Sequence, residues 1–321
     1  MRYAFLHKSF QEFFAGFYLA YKLIEGEIEC ESVVTDQRYE NELYQVFLFA
    51  IGILVSTSEK TAQSLVTYMA RNITSLQSAQ DVSKRFVLYL GCLSEYESLV
   101  CTLGEHLHIP YLNLTYKRME NNLLSKALAV NSSLTNLDLG SNSIGDSGAA
   151  SLSQALAVNS SLTNLDLTNN FIGPSGAASL SQALAVNSSL TNLDLGSNSI
   201  GDSGAASLSQ ALAVNSSLTN LVLHFNRIGG SGAASLSQGL AVNSSLTNLD
   251  LSFNSIGDSG AASLSQALAV NSSLTYLGLS TNSIGDCGAA SLSQDLAVNS
   301  SLTNLNLWDN LIADFEPCEH V

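Results

Sequence analysis

Basic side chains all but vanish from the second half of this chain. From Leu134 to the last residue there are thirteen carboxylates and one cation, Arg227. The full chain of 321 residues carries a formal net charge of −15 with only 12% charged residues. Duplex nucleic acid and anionic membrane are poor partners for such a surface. A basic protein partner is electrostatically favoured, although acidity also serves plain solubility. Long apolar runs are missing as well. The longest, Val46 to Val55, falls far short of the roughly 20 residues a bilayer span needs. It reads as a buried helix. The N-terminus lacks the apolar segment and small-residue cleavage site of a secretory signal. The five cysteines, Cys30, Cys92, Cys101, Cys287 and Cys318, are odd in number, scattered, and form no C-x-x-C pair. That pattern fits free thiols in a reducing compartment, so a cytoplasmic location is expected.

Catalytic chemistry is equally hard to find. His106 and His108 have no neighbouring cysteine or carboxylate cluster, so no metal site is expected there. His224 has no Ser or Cys nucleophile at a workable position, and no cysteine shows the surroundings that activate a thiol. No phosphate-cradling G-x-x-x-x-G-K-[ST] loop occurs. The expectation is a non-enzymatic chain with no cofactor and no metal.

What the chain does have is a 28-residue unit repeated almost letter for letter, opening at Leu134, Leu162, Leu190, Leu218, Leu246, Leu274 and Leu302. A fixed period in this range means a solenoid, in which each unit buries its apolar face by stacking on its neighbours. Leu137 and Leu139 alternate with Asn136, Asp138 and Gly140, the period of a short strand. From Gly148 to Val158 the spacing is helical, with Leu152 and Leu156 on one face. Either Asp146 or Ser147 is the expected N-cap. The Asn-x-Ser triplets such as Asn131-Ser132-Ser133 fall at helix ends, where Asn and Ser favour turns.

The copy L-T-N-L-D-L-G-S-N-S-I-G resembles the leucine-rich repeat L-x-x-L-x-L-x-x-N-x-I, and the 28-residue strand-plus-helix unit resembles the ribonuclease-inhibitor type. The resemblance implies a horseshoe with the parallel sheet inside and helices outside. Strands stack about 4.8 Å apart whereas helices need about 8–10 Å, and the mismatch bends the stack. It also implies a structural ladder of amides: Asn142, Asn170, Asn198, Asn226, Asn254, Asn282 and Asn310. The last copy keeps Leu305, Leu307 and Asn310 and departs after Asp314. Pro317 would interrupt a full final helix.

Residues 1–105 do not repeat and read as an all-α domain, with 106–133 as a junction or degenerate first repeat before the repeats of 134–321. Ser9-Phe10-Gln11-Glu12 is a capping box. The stretch Phe5-Leu6-His7-Lys8-Ser9-Phe10-Gln11-Glu12-Phe13-Phe14-Ala15-Gly16-Phe17-Tyr18-Leu19-Ala20 resembles the F-x-H-x-S-F-Q-E-F-x-A-A-x-Y-L motif of NACHT-domain, NOD-like receptors. The resemblance implies the second helical domain and ligand-sensing repeats of such a receptor, an innate immune or regulatory protein. No nucleotide-binding residue is carried over. A free-standing inhibitor or scaffold similar to ribonuclease inhibitor or the Ran GTPase-activating protein, acting on a basic target, is the alternative.

Function is expected where the copies differ. One strand column reads Asp138, Asp166, Asp194, Val222, Asp250, Gly278, Asn306. The column two residues on reads Gly140, Thr168, Gly196, His224, Ser252, Ser280, Trp308, and the next reads Ser141, Asn169, Ser197, Phe225, Phe253, Thr281, Asp309. Aromatics and Arg on a polar surface are what binding hot spots are made of. The expected partner-binding patch is Val222, His224, Phe225, Arg227 and Phe253, extended by Tyr276 and Trp308. The partner is a protein or pathogen-derived ligand. The row Asp138, Asp166, Asp194 and Asp250 is a candidate for attracting basic groups.

Overall fold

The computed structural model describes residues 8–40, 43–117 and 121–313. Phe5, Leu6 and His7 of the receptor-like motif lie outside them, as do the Ser9 side chain of the capping box and the departure of the last repeat after Asp314. The chain divides into two compact units, Met1–Leu112 with Lys126–Ser133, and Asn113–Ser125 with Leu134–Val321.

The first unit is helical: α1 (Lys8–Ile24), α2 (Cys30–Thr35), α3 (Tyr44–Thr57), α4 (Glu59–Ser75), α5 (Ala79–Cys92) and α6 (Glu97–His106). The apolar run Val46–Val55 falls within α3, which buries Val46, Phe47, Ala50, Ile51 and Leu54. α1 lies close against α3 at Gly16, where a Cβ would come within 2.6 Å of the Phe49 Cβ and 2.9 Å of the Val46 carbonyl. Ser78 caps α5 by accepting from the Asp81 N–H.

A short strand β1 (Tyr111–Asn113) and α7 (Asn121–Val130) repeat the strand-then-helix order of the copies that follow. The second unit then runs through β2 (Asn136–Asp138), α8 (Gly145–Leu156), β3 (Asn164–Asp166), α9 (Pro174–Leu184), β4 (Asn192–Asp194) and α10 (Gly201–Leu212). It continues with β5 (Asn220–Val222), α11 (Gly230–Val242), β6 (Asn248–Asp250), α12 (Gly257–Leu268), β7 (Tyr276–Gly278), α13 (Asp286–Leu296) and β8 (Asn304–Asn306). Strands β2 to β8 pair in parallel in chain order, each residue opposite its equivalent in the next copy, as in Leu165 against Leu193. This is a leucine-rich-repeat solenoid preceded by a helical region. Its core is built from the leucines of strand and helix, such as Leu193, Leu195, Leu208 and Leu212, all at or below 2% exposure.

Two columns of asparagine tie the copies together. Asn198 donates from Nδ2 to the carbonyls of Leu167, Leu195 and Gly196 at 2.9–3.1 Å. Its Oδ1 accepts from the N–H groups of Asn170 and Ile172 at 3.0 and 2.9 Å. A second column comes from the Asn-Ser-Ser triplets. Asn215 donates to the carbonyls of Leu184 and Asn187 and accepts from the N–H groups of Ser217 and Leu218. These asparagines are more than helix-end residues, because they bond one repeat to the previous one.

The helix starts differ from the expectation. Neither Asp146 nor Ser147 caps α8. The cap position is Ile144, with no side-chain bond. Asp146 instead accepts from Gly173 and Gly176 of the next copy, at 2.7 and 2.8 Å. Asp202 holds Gly229 and Gly232, and Asp258 holds Gly285 and Gly288, in the same way. The copies therefore alternate. Gly145, Gly201 and Gly257 are left-handed, with φ of +60°, +58° and +59°, while Gly173, Gly229 and Gly285 are extended N-caps. One copy's carboxylate thus caps the next copy's helix in three successive pairs of repeats, and Asp286 of the sixth copy accepts from the Ala313 N–H at the same position of the seventh.

Asp202 also accepts from the Ser231 hydroxyl. That bond is the main reason its carboxyl titrates below the ordinary carboxylate range; burial opposes it and the Gly229 and Gly232 N–H groups add to it. A depressed folded pKa means stability present above the unfolded value near 3.9 and lost as pH falls through the folded pKa. A helix cap is typically worth about 1 kcal/mol. Asp202→Ala is expected to lower urea stability by about that much at neutral pH. The gap to wild type should close below about pH 4. A gap that stays constant down to pH 3 would show that the carboxylate charge is not what matters.

Candidate functional site

The site is built on the strand ends and the turns that follow them. In each strand the central leucine points into the core and its two neighbours point out, so Leu221 is buried between Asn220 and Val222, which are both half-buried. The acidic column has a local task. The Oδ1 atoms of Asp138, Asp166, Asp194 and Asp250 accept from the N–H two residues on, at 2.8–2.9 Å. Asp138 also accepts from the Thr115 hydroxyl and the Asn113 amide. Asn306 makes the same turn with Trp308. These carboxylates thus hold turns as well as charge the face. Burial is the main force pushing the Asp194 carboxyl above its ordinary range, with the Gly196 N–H opposing it and the register neighbour Asp166 adding to the rise. Among the described residues no group of three His, Cys, Asp or Glu side chains is placed to hold a metal ion.

Repeat four breaks this column, since Val222 cannot accept. The His224 ring lies over Gly196 and fills the space a side chain there would need. Its Nδ1 is buried without a hydrogen-bond partner among the described residues. His224 meets the edge of Phe225, with ring centroids 5.7 Å apart and planes at 63°. Phe225 then stacks on Phe253 with centroids 4.2 Å apart and planes at 13°. Both rings remain open to solvent, at 49% and 37% exposure.

The backbone makes this pair notable. Every copy has its turn residue in the left-handed region: Ser141, Asn169, Ser197, Phe225, Phe253, Thr281 and Asp309 all have φ between +53° and +57°. Asn and Asp tolerate that conformation, whereas a bulky side chain costs roughly 1–2 kcal/mol there. Two exposed phenylalanines in that position are not what the backbone favours. Phe171 and Arg227 share a second left-handed position, both with φ of +58°. Phe171 is 69% exposed.

Phe171, Ser197, Ser199, Phe225, Arg227 and Phe253 line an open cleft of about 530 Å³, with Ser255 at its other end. The structure therefore gathers Phe225, Arg227 and Phe253 in the cleft, whereas His224 meets the Phe225 ring without lining the cleft and Val222 ends β5. It does not gather the other two patch residues into the cleft. Tyr276 opens β7 between Asn248 and Asn304. Trp308, 71% exposed, lies in the His224 column three repeats further on. Phe171, Ser199 and Ser255 escaped the sequence reading. The column Ser143, Phe171, Ser199, Arg227, Ser255, Ser283, Leu311 would have shown them, since Phe and Arg stand out from serine there.

The thiols are mixed rather than uniformly free. Cys30, Cys92 and Cys101 are free, but Cys287 is disulfide-bonded. Burial pushes the Cys92 thiol up to about 12, which leaves it inert. Among the described residues no helix is long and apolar enough to cross a membrane.

An open, part-apolar cleft thus lies on the turns that follow the parallel strands of a leucine-rich-repeat solenoid. A family model described as Leucine Rich repeat matches residues 130–153, 158–181, 186–209, 214–237, 242–265 and 270–293. Leucine-rich repeats thus occupy that stretch of the chain. No curated protein sequence matches significantly. Among solved structures, the tropomodulin C-terminal domain of Caenorhabditis elegans is 20% identical, with a TM-score of 0.41, over 47% of this chain and 92% of that one. Actin-binding site 2 of leiomodin-1 is 20% identical, with a TM-score of 0.34, over 50% of this chain and 79% of that one. An internalin of Listeria monocytogenes is 22% identical, with a TM-score of 0.35, over 68% of this chain and 65% of that one.

Proposed function

We propose that this chain is the ligand-sensing part of a cytoplasmic NOD-like-receptor-type protein, and that it binds a protein partner at the turns of repeats two to five. The observation that carries the binding site is the stacked, solvent-open pair Phe225 and Phe253, both held in a backbone conformation that disfavours them. Exposed aromatics beside an Arg have the composition of interface hot spots. The receptor-type reading is supported by the motif resemblance at Phe5–Ala20, of which the described part, Lys8–Ala20, forms all of α1 except its last turn. The cytoplasmic reading is supported by the free thiols Cys30, Cys92 and Cys101, while the disulfide at Cys287 weighs against it.

Affinity capture from cells with wild type, with His224→Ala, Phe225→Ala and Arg227→Ala combined, and with Gln210→Ala on the exposed side of α10 tests the reading. The partner set is expected to fall at least about tenfold with the triple variant, equivalent to about 1.4 kcal/mol. It is expected to be unchanged with Gln210→Ala. Equal capture by all three proteins would sink the proposed surface.

A further inference from the structure

Arg227 is the single cation among the residues from Leu134 onward. It is exposed and, among the described residues, pairs with no carboxylate. In its column it stands between Ser199 and Ser255, one repeat to either side, and neither hydroxyl has a hydrogen-bond partner among the described residues. Adjacent repeats are spaced by roughly 4.8 Å at the sheet. One guanidinium flanked by two free hydroxyls therefore forms a short polar row. Phe171 sits next along this row, and the stacked Phe225 and Phe253 line the same cleft.

Resting on the proposed binding surface, we infer that the cleft recognises an internal segment of a partner protein in which one aspartate or glutamate side chain adjoins an aromatic residue. A carboxylate matches the planar fork of an arginine, which donates two parallel N–H bonds to it. A ring from the partner stacks on the open faces of Phe225 and Phe253 or packs against Phe171. A lysine-rich segment is excluded by Arg227 at the centre of the cleft. A polyphosphate or a nucleic acid backbone is excluded because one cation faces a chain of net charge −15. The same field limits the ligand to a single local negative charge rather than an acidic run. The basic groups favoured by composition alone are thus not the ones this cleft selects.

The variants that test this should fold, because other copies carry serine at the same positions: Ser141 and Ser197 for Phe225 and Phe253, and Ser199 and Ser255 for Arg227. Isothermal titration uses three probes: acetyl-Gly-Trp-Glu-Gly-amide, the same peptide with Gln for Glu, and acetyl-Gly-Gly-Trp with a free C-terminal carboxylate. The Glu probe is expected to bind wild type at least fivefold more tightly than the Gln probe. Arg227→Ser is expected to erase that preference, and Phe225→Ser with Phe253→Ser to weaken both probes at least fivefold. Equal binding of the Glu and Gln probes, a preference that survives Arg227→Ser, or no binding of either peptide would overturn the inference. Tighter binding of the free-carboxylate probe would overturn it in favour of a chain terminus. Loss of cellular partners in the triple variant combined with indifferent peptides would leave the binding surface standing and remove only this ligand chemistry.

Discussion

Replacing Asn198 with alanine is expected to lower the stability of the solenoid by about 2–6 kcal/mol. The side chain is 6% exposed, and it completes five hydrogen bonds to backbone groups in its own copy and the previous one. Alanine removes the acceptor that satisfies the N–H groups of Asn170 and Ile172. Each buried donor so stranded costs about 1–3 kcal/mol. The three carbonyls it served lose a bond as well, but carbonyl groups bear this better than N–H groups do. Stability in a solenoid is close to a sum of repeats and nearest-neighbour interfaces. The loss should therefore appear locally, as faster hydrogen exchange at Asn170 and Ile172, as well as in the urea midpoint. Asn198→Asp is expected to recover only part of it, since a carboxylate accepts from both N–H groups but donates to none of the carbonyls. A change below about 1 kcal/mol for Asn198→Ala would mean that water or a shifted backbone replaces the amide.

The repeat class was legible because its signals lie within one copy. The alternation of Leu137 and Leu139, the helical spacing of Leu152 and Leu156, and the fixed Asn142 column each need only a dozen residues to be read. What escaped the sequence sits between copies. Asp146 looked like a cap for its own helix, since a carboxylate just ahead of a helical pattern usually is one. Its true partners, Gly173 and Gly176, are a repeat away. In the second and fourth copies the equivalent residue is Pro174 and Gly230 rather than aspartate. Those helices are capped from outside, so their own first residue is free to vary. Gly196 beneath His224 is a similar case, because nothing in either copy alone says that an imidazole needs the space. The cleft was half legible. Phe225, Phe253 and Arg227 stood out from their columns, but the left-handed backbone that makes their presence costly cannot be read from the letters.

A second large effect is expected in the helical unit, where Gly104→Ala should destabilise the protein by about 2–4 kcal/mol. Helix propensity alone predicts the opposite, because Gly104 lies inside α6 and alanine is better there by about 1 kcal/mol. The contact decides the sign. A Cβ on Gly104 would meet the Ala127 carbonyl oxygen and lie 2.8 Å from its Cα and 2.9 Å from its carbonyl carbon. All three are backbone atoms, so no side chain can rotate aside, and the C-terminal half of α7 would have to move away from α6. Overpacking of this kind costs about 1–3 kcal/mol and sometimes more. The shift would also strain the bonds that join the same two segments. Asn131 Nδ2 donates to the carbonyls of Gly104 and Leu107, both at 2.8 Å. The Ser133 hydroxyl donates to Leu107 at 2.7 Å. Each is worth about 1 kcal/mol net, and weakening them more than offsets the propensity gain. Urea denaturation of Gly104→Ala beside Gly91→Ala separates the two forces. Gly91 lies in α5, where the nearest atom to an added Cβ is the Tyr44 hydroxyl at 3.9 Å. Propensity acts there without a clash, and that variant is expected to be slightly stabilised. Two variants moving in the same direction would mean that α6 and α7 are held apart more loosely than their backbone contact requires.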